Sequence, residues 1–306
     1  MPVHSRSAPS PAPQERYHAP VLFADAFRAM DTDIDVEIFA DERPHAAFVS
    51  VRLLFEQQEQ RFSRFRESSL LCRLNSGETV TDPTVAAACR LALEAFLFTG
   101  GLFNPMILPA LRQAGYDRTF TEARKGGGSL GSSEVPDPTE CLRIEGDAVT
   151  LAAGQLDFGG IIKGWSADLA AAMVGAEFPG ILVNAGGDVR AVGAGDEDGG
   201  WSLAIERPGG GLPLWEGVVA GGCATSTTLR RRWQTADGAT AHHLIDPRIG
   251  LPANSPFIQV SVWAPETWRA EVWAKAVLIG GHAAAAAARV RGYQCLTVDT
   301  DRAFRS

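Results

Sequence analysis

Several stretches of this chain set ionisable side chains beside glycine. Residues 156–168 read LDFGGIIKGWSAD, where Gly159 and Gly160 let backbone approach a ligand closely, Lys163 adds a cation at a helix start and Asp157 flanks the turn. That combination suits a phosphate-bearing ligand. It is not the phosphate loop of nucleotide hydrolases, whose Gly-x-x-x-x-Gly-Lys-Ser/Thr spacing is missing. A tight strand-to-helix turn with an exposed lysine fits the same residues equally well. In NAGGDVRAVG, residues 184–193, the Gly186-Gly187 pair taken alone indicates a strand bulge or a turn. In CATSTTLRRRW, residues 223–233, the hydroxyls of Thr225, Ser226, Thr227 and Thr228 precede three arginines; they hold a phosphate or mark a charged strand edge.

AHHLIDPRIG, residues 241–250, offers a proton acceptor. Strand alternation places His243 and Ile245 on one face, with His242, Leu244 and Asp246 on the other. Histidine accepts protons near neutral pH, although a histidine in a strand is often structural. Asp246-Pro247 ahead of Gly250 is a turn signal. Finally, Glu271 and Lys275 lie four apart in RAEVWAKAVLIGG, residues 269–281, and share one helix face. Ala270, Val272, Trp273, Ala274, Ala276, Val277 and Leu278 surround them, so a solvated face describes the pair poorly.

These residues need elements to hold them. Residues 1 to 20, rich in Pro, Ala and Ser, read as a disordered tail ahead of one domain over 21–306, with two lobes as one possible arrangement. DTDIDVEIFA alternates strictly, with Ile34, Val36 and Ile38 on one face of a half-buried strand. Helical spacing runs from Pro44 to about Phe62. A second helix starts where Asp82 caps and Pro83 fills the first turn, and it stops at Gly100. Residues 124–136 and 193–200 read as loops, and LRIEGDAVTLAAG as a hairpin turning at Gly146-Asp147. A short strand then leads into the glycines and a helix over 157–176. Further strands are expected at 201–206, 217–221, 241–246 and 257–263, followed by the helix carrying Glu271, an alanine-rich run at 282–290 and a last strand YQCLTVD. Strands and helices mix without regular alternation, which predicts an α+β fold of mixed, largely antiparallel sheets with packed helices.

The chain has 306 residues, 45% hydrophobic and 21% charged, enough to bury a real core. A net charge of −8 disfavours nucleic acid or an anionic membrane as the main partner, so an anionic ligand must be neutralised locally. Five dispersed cysteines show no Cys-x-x-Cys spacing and read as reduced thiols. The absence of an apolar leader or any run of eighteen apolar residues gives the expectation of a cytoplasmic protein without membrane insertion.

In their order along the chain, these stretches resemble the ApbE-type flavin transferase family, the FAD:protein FMN transferases. The likeness runs through AMDTDIDVEIF (29–39), RFSRFRESSLLCRLN (61–75), GLFNPMILPAL (101–111), LDFGGIIKGWSAD, LVNAGGDVRAVG, ATSTTLRR, HLIDPRIG and AEVWAKA. It implies an enzyme that binds FAD and, with Mg²⁺, transfers FMN to a Ser or Thr hydroxyl of an acceptor protein, releasing AMP. It further implies that Met30, Phe65, Leu102, Phe103, Asn104, Asp157, Lys163 and Ile245 contact FAD, Phe65 offering a π-face and Lys163 a phosphate contact. His243 falls at the family's histidine and would assist deprotonation of the acceptor hydroxyl. A non-catalytic FAD-binding protein, and a hydrolase giving free FMN and AMP, are the alternatives.

The chain departs from the family pattern at Asn104, Met106 and Ile249. The sharpest departure lies on the late helix. There the family carries Asp and Thr, four apart, which bind Mg²⁺ together with a carbonyl of the glycine turn, here Gly160. Glu271 and Lys275 stand in those places. An ammonium has no lone pair for a metal. Either a shifted Mg²⁺ binds through Glu271 and Gly160, or Lys275 itself, held by Glu271, occupies the cation position.

Overall fold

The computed structural model describes residues 20–117, 128–195 and 199–300. The expected tail, apart from Pro20, and part of the loop at 124–136 lie outside them. The first strand, β1 (Val21–Ala29), pairs antiparallel with β2 (Thr32–Ala40) through a turn at Met30 and Asp31. In β2, Ile34, Val36 and Ile38 are all buried, as the alternation predicts. Burying side chains of this size contributes ~1.5–3 kcal/mol each. They pack against Phe48, Val51 and Phe55 of α1 (His45–Phe62).

Two short helices that periodicity did not reveal frame the next segment: α2 (Leu70–Asn75), capped by Ser69, and, further along the chain, α4 (Leu108–Gln113). Between them lie β3 (Val80–Thr81) and α3 (Pro83–Phe98), where Asp82 accepts from the backbone N–H groups of Thr84 and Val85, as expected of the cap. A one-turn α5 (Pro138–Cys141) enters the predicted hairpin, β4 (Leu142–Glu145) and β5 (Ala148–Leu151), with Gly146 at its tip.

No strand precedes the glycine turn. The side-chain amide of Asn75 takes the place of a neighbouring strand, accepting from Leu156 N at 2.7 Å and donating to Leu156 O at 2.9 Å. The helix α6 (Ile162–Val174) begins only after the glycines. It leads to β6 (Gly180–Ala185) and β7 (Asp188–Gly193), a hairpin whose two-residue turn is Gly186-Gly187 with φ of 65° and 101°. Both angles are left-handed, which is why glycines stand there.

The hairpin of β8 (Trp201–Ile205) and β9 (Trp215–Val219) covers one face of the main sheet. Then comes β10 (Gly221–Thr227), which is no edge: it lies between β7 and β15 (Phe257–Ala264). Two of its hydroxyls serve the sheet. Thr225 Oγ1 lies 2.8 Å from Ser261 Oγ, and Thr227 Oγ1 donates to Ile258 O. The expected strand at 241–246 is split. After β11 (Arg232–Gln234) comes β12 (Thr240–His242), then β13 (Ile245–Asp246), which pairs with β14 (Leu251–Pro252). Leu244 N donates to His242 Nδ1 and His242 Nε2 meets Ala253 O at 3.1 Å, so ladder hydrogen bonding gives way between the two pieces.

The last helix, α7 (Thr267–Val290), bends at Gly281, whose φ is 62°, and β16 (Gln294–Asp299) closes the sheet. The main sheet therefore runs β1-β2-β6-β7-β10-β15-β16, antiparallel throughout. The α+β expectation holds. Among the described residues no helix is long and apolar enough to cross a membrane, and the five cysteines are free thiols.

Candidate functional site

The site is organised by α6 and α7, which cap one another. Neither helix has a capping side chain at its own N-cap residue, Ile161 or Glu266. Instead Asp168 of α6 accepts from the first two N–H groups of α7, Thr267 at 2.9 Å and Trp268 at 3.0 Å. Reciprocally, Glu271 of α7 accepts from Gly164 N of α6 at 2.8 Å. Each carboxylate thus satisfies helix-start N–H groups that would otherwise lack partners, at the end of the dipole that favours negative charge. Contact this close requires Gly164. A Cβ there would stand 2.9 Å from the Thr267 backbone, although alanine would favour the helix itself by about 1 kcal/mol.

Four charges meet at this contact. Glu271, fully buried, accepts at Oε1 from Lys163 Nζ at 2.9 Å and from Lys275 Nζ at 3.0 Å. Lys163 also pairs with Asp188, the first residue of β7, which the Gly186-Gly187 turn delivers. Two carboxylates therefore face two ammoniums, which is how ionised groups tolerate burial costing several kcal/mol each when unpaired. Burial opposes the charge on Glu271, but the two lysines and Gly164 N–H outweigh it and hold the carboxyl down at about 2. Burial likewise opposes the charge on Lys163, and Asp188 and Glu271 overcome it, raising the ammonium above its ordinary range. Asp188 is pushed up, first by burial and then by the neighbouring Glu271 charge.

In front of this cluster lies a cavity of about 700 Å³, within the range of cofactor sites. Lys163 and Lys275 open onto it; Glu271 stands behind its wall. The remaining residues predicted for the site all line it: Met30, Phe65, Leu102, Phe103, Asn104, Asp157, Gly160, His243 and Ile245. Their supports explain their placement. Met30, with φ of 52°, donates its N–H to Glu59 at 2.8 Å. Asn104 ties its own loop to a distant one, accepting from Met106 N at 2.8 Å and donating to Pro136 O at 3.0 Å. Asp157 accepts from Gly159 N at 2.9 Å and pairs with buried Arg64 at 3.1 Å. The Arg64 guanidinium lies over the Phe65 and Tyr116 rings, 4.6 and 4.2 Å from their centroids. Phe65 is thereby backed by a cation–π stack while 38% of its surface stays exposed.

His243 and Ile245 do share the cavity side, yet so does Leu244, because the strand is broken there. His243 Nδ1 is buried without a hydrogen-bond partner. Burial, then the charges of Arg231, His242, Lys275 and Lys163, hold His243 well below its usual range, so it is a neutral imidazole at pH 7. Neutral imidazole is the form that accepts a proton.

Sequence reasoning missed several lining residues. Gln58 and Glu59 sit on a helix face that looked merely amphipathic, and the Gln58 amide oxygen is buried without a partner. Arg231, one of the three arginines read above as a phosphate site or a charged strand edge, does line the cavity; it has φ of 49° and pairs across the rim with Asp31 at 3.8 Å. Its left-handed backbone has no signature in an arginine run. Arg64 lies within the RFSRFRESSLLCRLN stretch, where the family resemblance points only to its neighbour Phe65.

A divalent cation does not fit the residues at the late-helix position. Mg²⁺ requires oxygen donors. Glu271 Oε1 is already shared by two ammoniums and Oε2 is taken by a backbone N–H. Lys275 offers no lone pair while protonated. Its stem also fills the space beside Gly160, where a Cβ would stand 3.2 Å from Lys275 Cδ.

Comparison with known proteins agrees with this architecture. The apo crystal structure of Pseudomonas stutzeri flavinyl transferase ApbE superposes with a TM-score of 0.77 at 22% identity, covering 92% of each chain. The ApbE protein of Thermotoga maritima gives 0.78 at 21% identity, covering 92% of this chain and 96% of its own. In sequence, the FAD:protein FMN transferase of Treponema pallidum is 30% identical over 275 residues, spanning 78% of this chain and 72% of the relative. The protein of that name from Vibrio cholerae is 26% identical over 243 residues, 74% of this chain and 71% of its own. The model of the ApbE family matches residues 30–297, and the chain belongs to that family.

Proposed function

We propose that this protein is an enzyme that transfers the FMN half of FAD to a Ser or Thr hydroxyl of an acceptor protein and releases AMP. The observation that carries this reading is that a neutral, buried histidine and two paired lysines open onto one cavity with an exposed aromatic face. The relatives bearing the name FAD:protein FMN transferase supply the reaction class.

In this reading the flavin ring lies against Phe65 and the apolar wall of Met30, Leu102, Phe103 and Ile245, with Asn104 and Asp157 at the turn. The pyrophosphate lies toward Lys163. His243 takes the proton of the acceptor hydroxyl, whose oxygen attacks the FMN phosphorus. A phosphoester bond forms, the bond from that phosphorus to the bridging oxygen breaks, and AMP leaves with that oxygen. A hydroxyl is a poor nucleophile without a base, so His243 contributes ~10²–10⁴ in rate. The donor set around Glu271 and Lys275 gives Mg²⁺ no support. We assign the cavity to a single domain over residues 21–306, and the free thiols support a cytoplasmic setting.

The test is mass spectrometry of an acceptor fragment bearing a single Thr, incubated with the protein and FAD. An FMN adduct localised to that Thr is the expected result. FAD bound without turnover would make it a binding protein, and free FMN with AMP a hydrolase.

A further inference from the structure

Resting on the FAD reading above, we propose that Lys275 is the resident cation for the ligand's pyrophosphate, in the place where a divalent metal would otherwise sit. The site then binds FAD with metal removed.

Three features of the structure lead there. First, the charges are layered. Both carboxylates of the cluster are withdrawn from the cavity, Glu271 at 0% side-chain exposure and Asp188 at 5%, whereas Lys163 and Lys275 keep 15% and 14%. A ligand entering the cavity meets the ammoniums and not their counter-ions. Second, Lys275 is held in place and is not saturated. Its Nζ meets Glu271 Oε1 at 3.0 Å and Glu271 O at 3.4 Å, and an ammonium has three donors. At least one N–H remains for a phosphate oxygen. Third, the glycine turn is shaped to the lysine stem. A Cβ at Gly160 would come 3.2 and 3.4 Å from Lys275 Cδ and Cε and 3.1 Å from the Phe103 ring, so the stem, the turn and the ring form one packed wall.

Lys163 does not fill this role alone. It divides its donors between Asp188 and Glu271, bridging two elements, while Lys275 answers only to the residue one turn before it on its own helix. Glu271 therefore acts as a positioning residue that fixes both lysines.

The experiment is titration of the full chain with FAD, followed by flavin fluorescence, in chelator and in excess Mg²⁺, on the wild type, Lys275→Met and Lys275→Arg. The expected result is a wild-type Kd that agrees within about twofold between the two conditions. Lys275→Met should bind at least tenfold more weakly in chelator, and Lys275→Arg should recover most of that loss. Thermal melts of the three proteins verify that each is folded. The proposal is overturned if Mg²⁺ tightens wild-type binding tenfold or more, or if Lys275→Met binds FAD in chelator as the wild type does. Those outcomes leave the FAD reading standing. A wild type that binds no FAD in either condition would overturn both.

Discussion

Asp168 and Glu271 cap each other's helices: Asp168 accepts from Thr267 N and Trp268 N, and Glu271 from Gly164 N. The exchange locks α6 against α7, and the lock carries the charges that face the cavity. The two residues are not equivalent, because Glu271 also holds two ammoniums. Asp168→Ala should cost about 1–2 kcal/mol, the value of a lost N-cap. Glu271→Ala strands buried positive charge and should cost about 3–5 kcal/mol. Urea unfolding checks the order, and equal small losses would contradict the account.

Gly164→Ala sets two effects against each other. Helix propensity favours alanine by about 1 kcal/mol. The added Cβ, however, would press on the Thr267 backbone at 2.9 Å, which has no flexible side chain to yield. We expect a net loss of about 1–3 kcal/mol and weaker FAD binding, because Lys163 moves with α6. A raised melting temperature would show that the helix contact is looser than described.

The histidines predict a pH dependence. Both His242 and His243 are held below the ordinary 6.5 by burial. Below pH 6.5 the unfolded chain takes up protons that the folded state refuses. Their contribution to stability is therefore complete above pH 6.5 and is lost as pH falls toward the folded values, most steeply for His243, which is held furthest down, at up to about 1.4 kcal/mol per pH unit. His243→Gln should remove about one proton from that slope between pH 6.5 and 5.5. In kinetics, kcat/KM should stay flat from pH 7.5 to 6. A tenfold fall per unit below 6.5 would assign His243 an ordinary value.

Phe65→Ala should weaken FAD binding about 2- to 10-fold, the worth of one aromatic contact, with kcat little changed. Arg64→Met should give part of the same effect, since Arg64 supports the ring and ties it to Asp157. Equal FAD affinity in Phe65→Ala would remove the stacking assignment.

Much of this was legible in the sequence. Alternation at Ile34, Val36 and Ile38 specified β2, and Asp82-Pro83 specified the start of α3, because those signals are local. The features that failed to show depend on distant partners. The segment at Leu156 looks like a strand, but its partner is the Asn75 side chain, 81 residues away. His242 diverts Leu244 from a ladder because Ala253 returns beside it. The residues grouped by family resemblance do converge on one cavity, apart from Glu271. What spacing could not reveal was depth. Four residues apart says only that Glu271 and Lys275 share a face, and the third member, Lys163, arrives from 108 residues earlier.

The most direct test counts products. With FAD, an acceptor fragment and a chelator, AMP, free FMN and protein-bound FMN are separated and quantified over one course of reaction. The account predicts one AMP for each FMN joined to the acceptor hydroxyl, with no free FMN and no need of added metal. AMP accompanied by free FMN, or no AMP until Mg²⁺ is supplied, would contradict it.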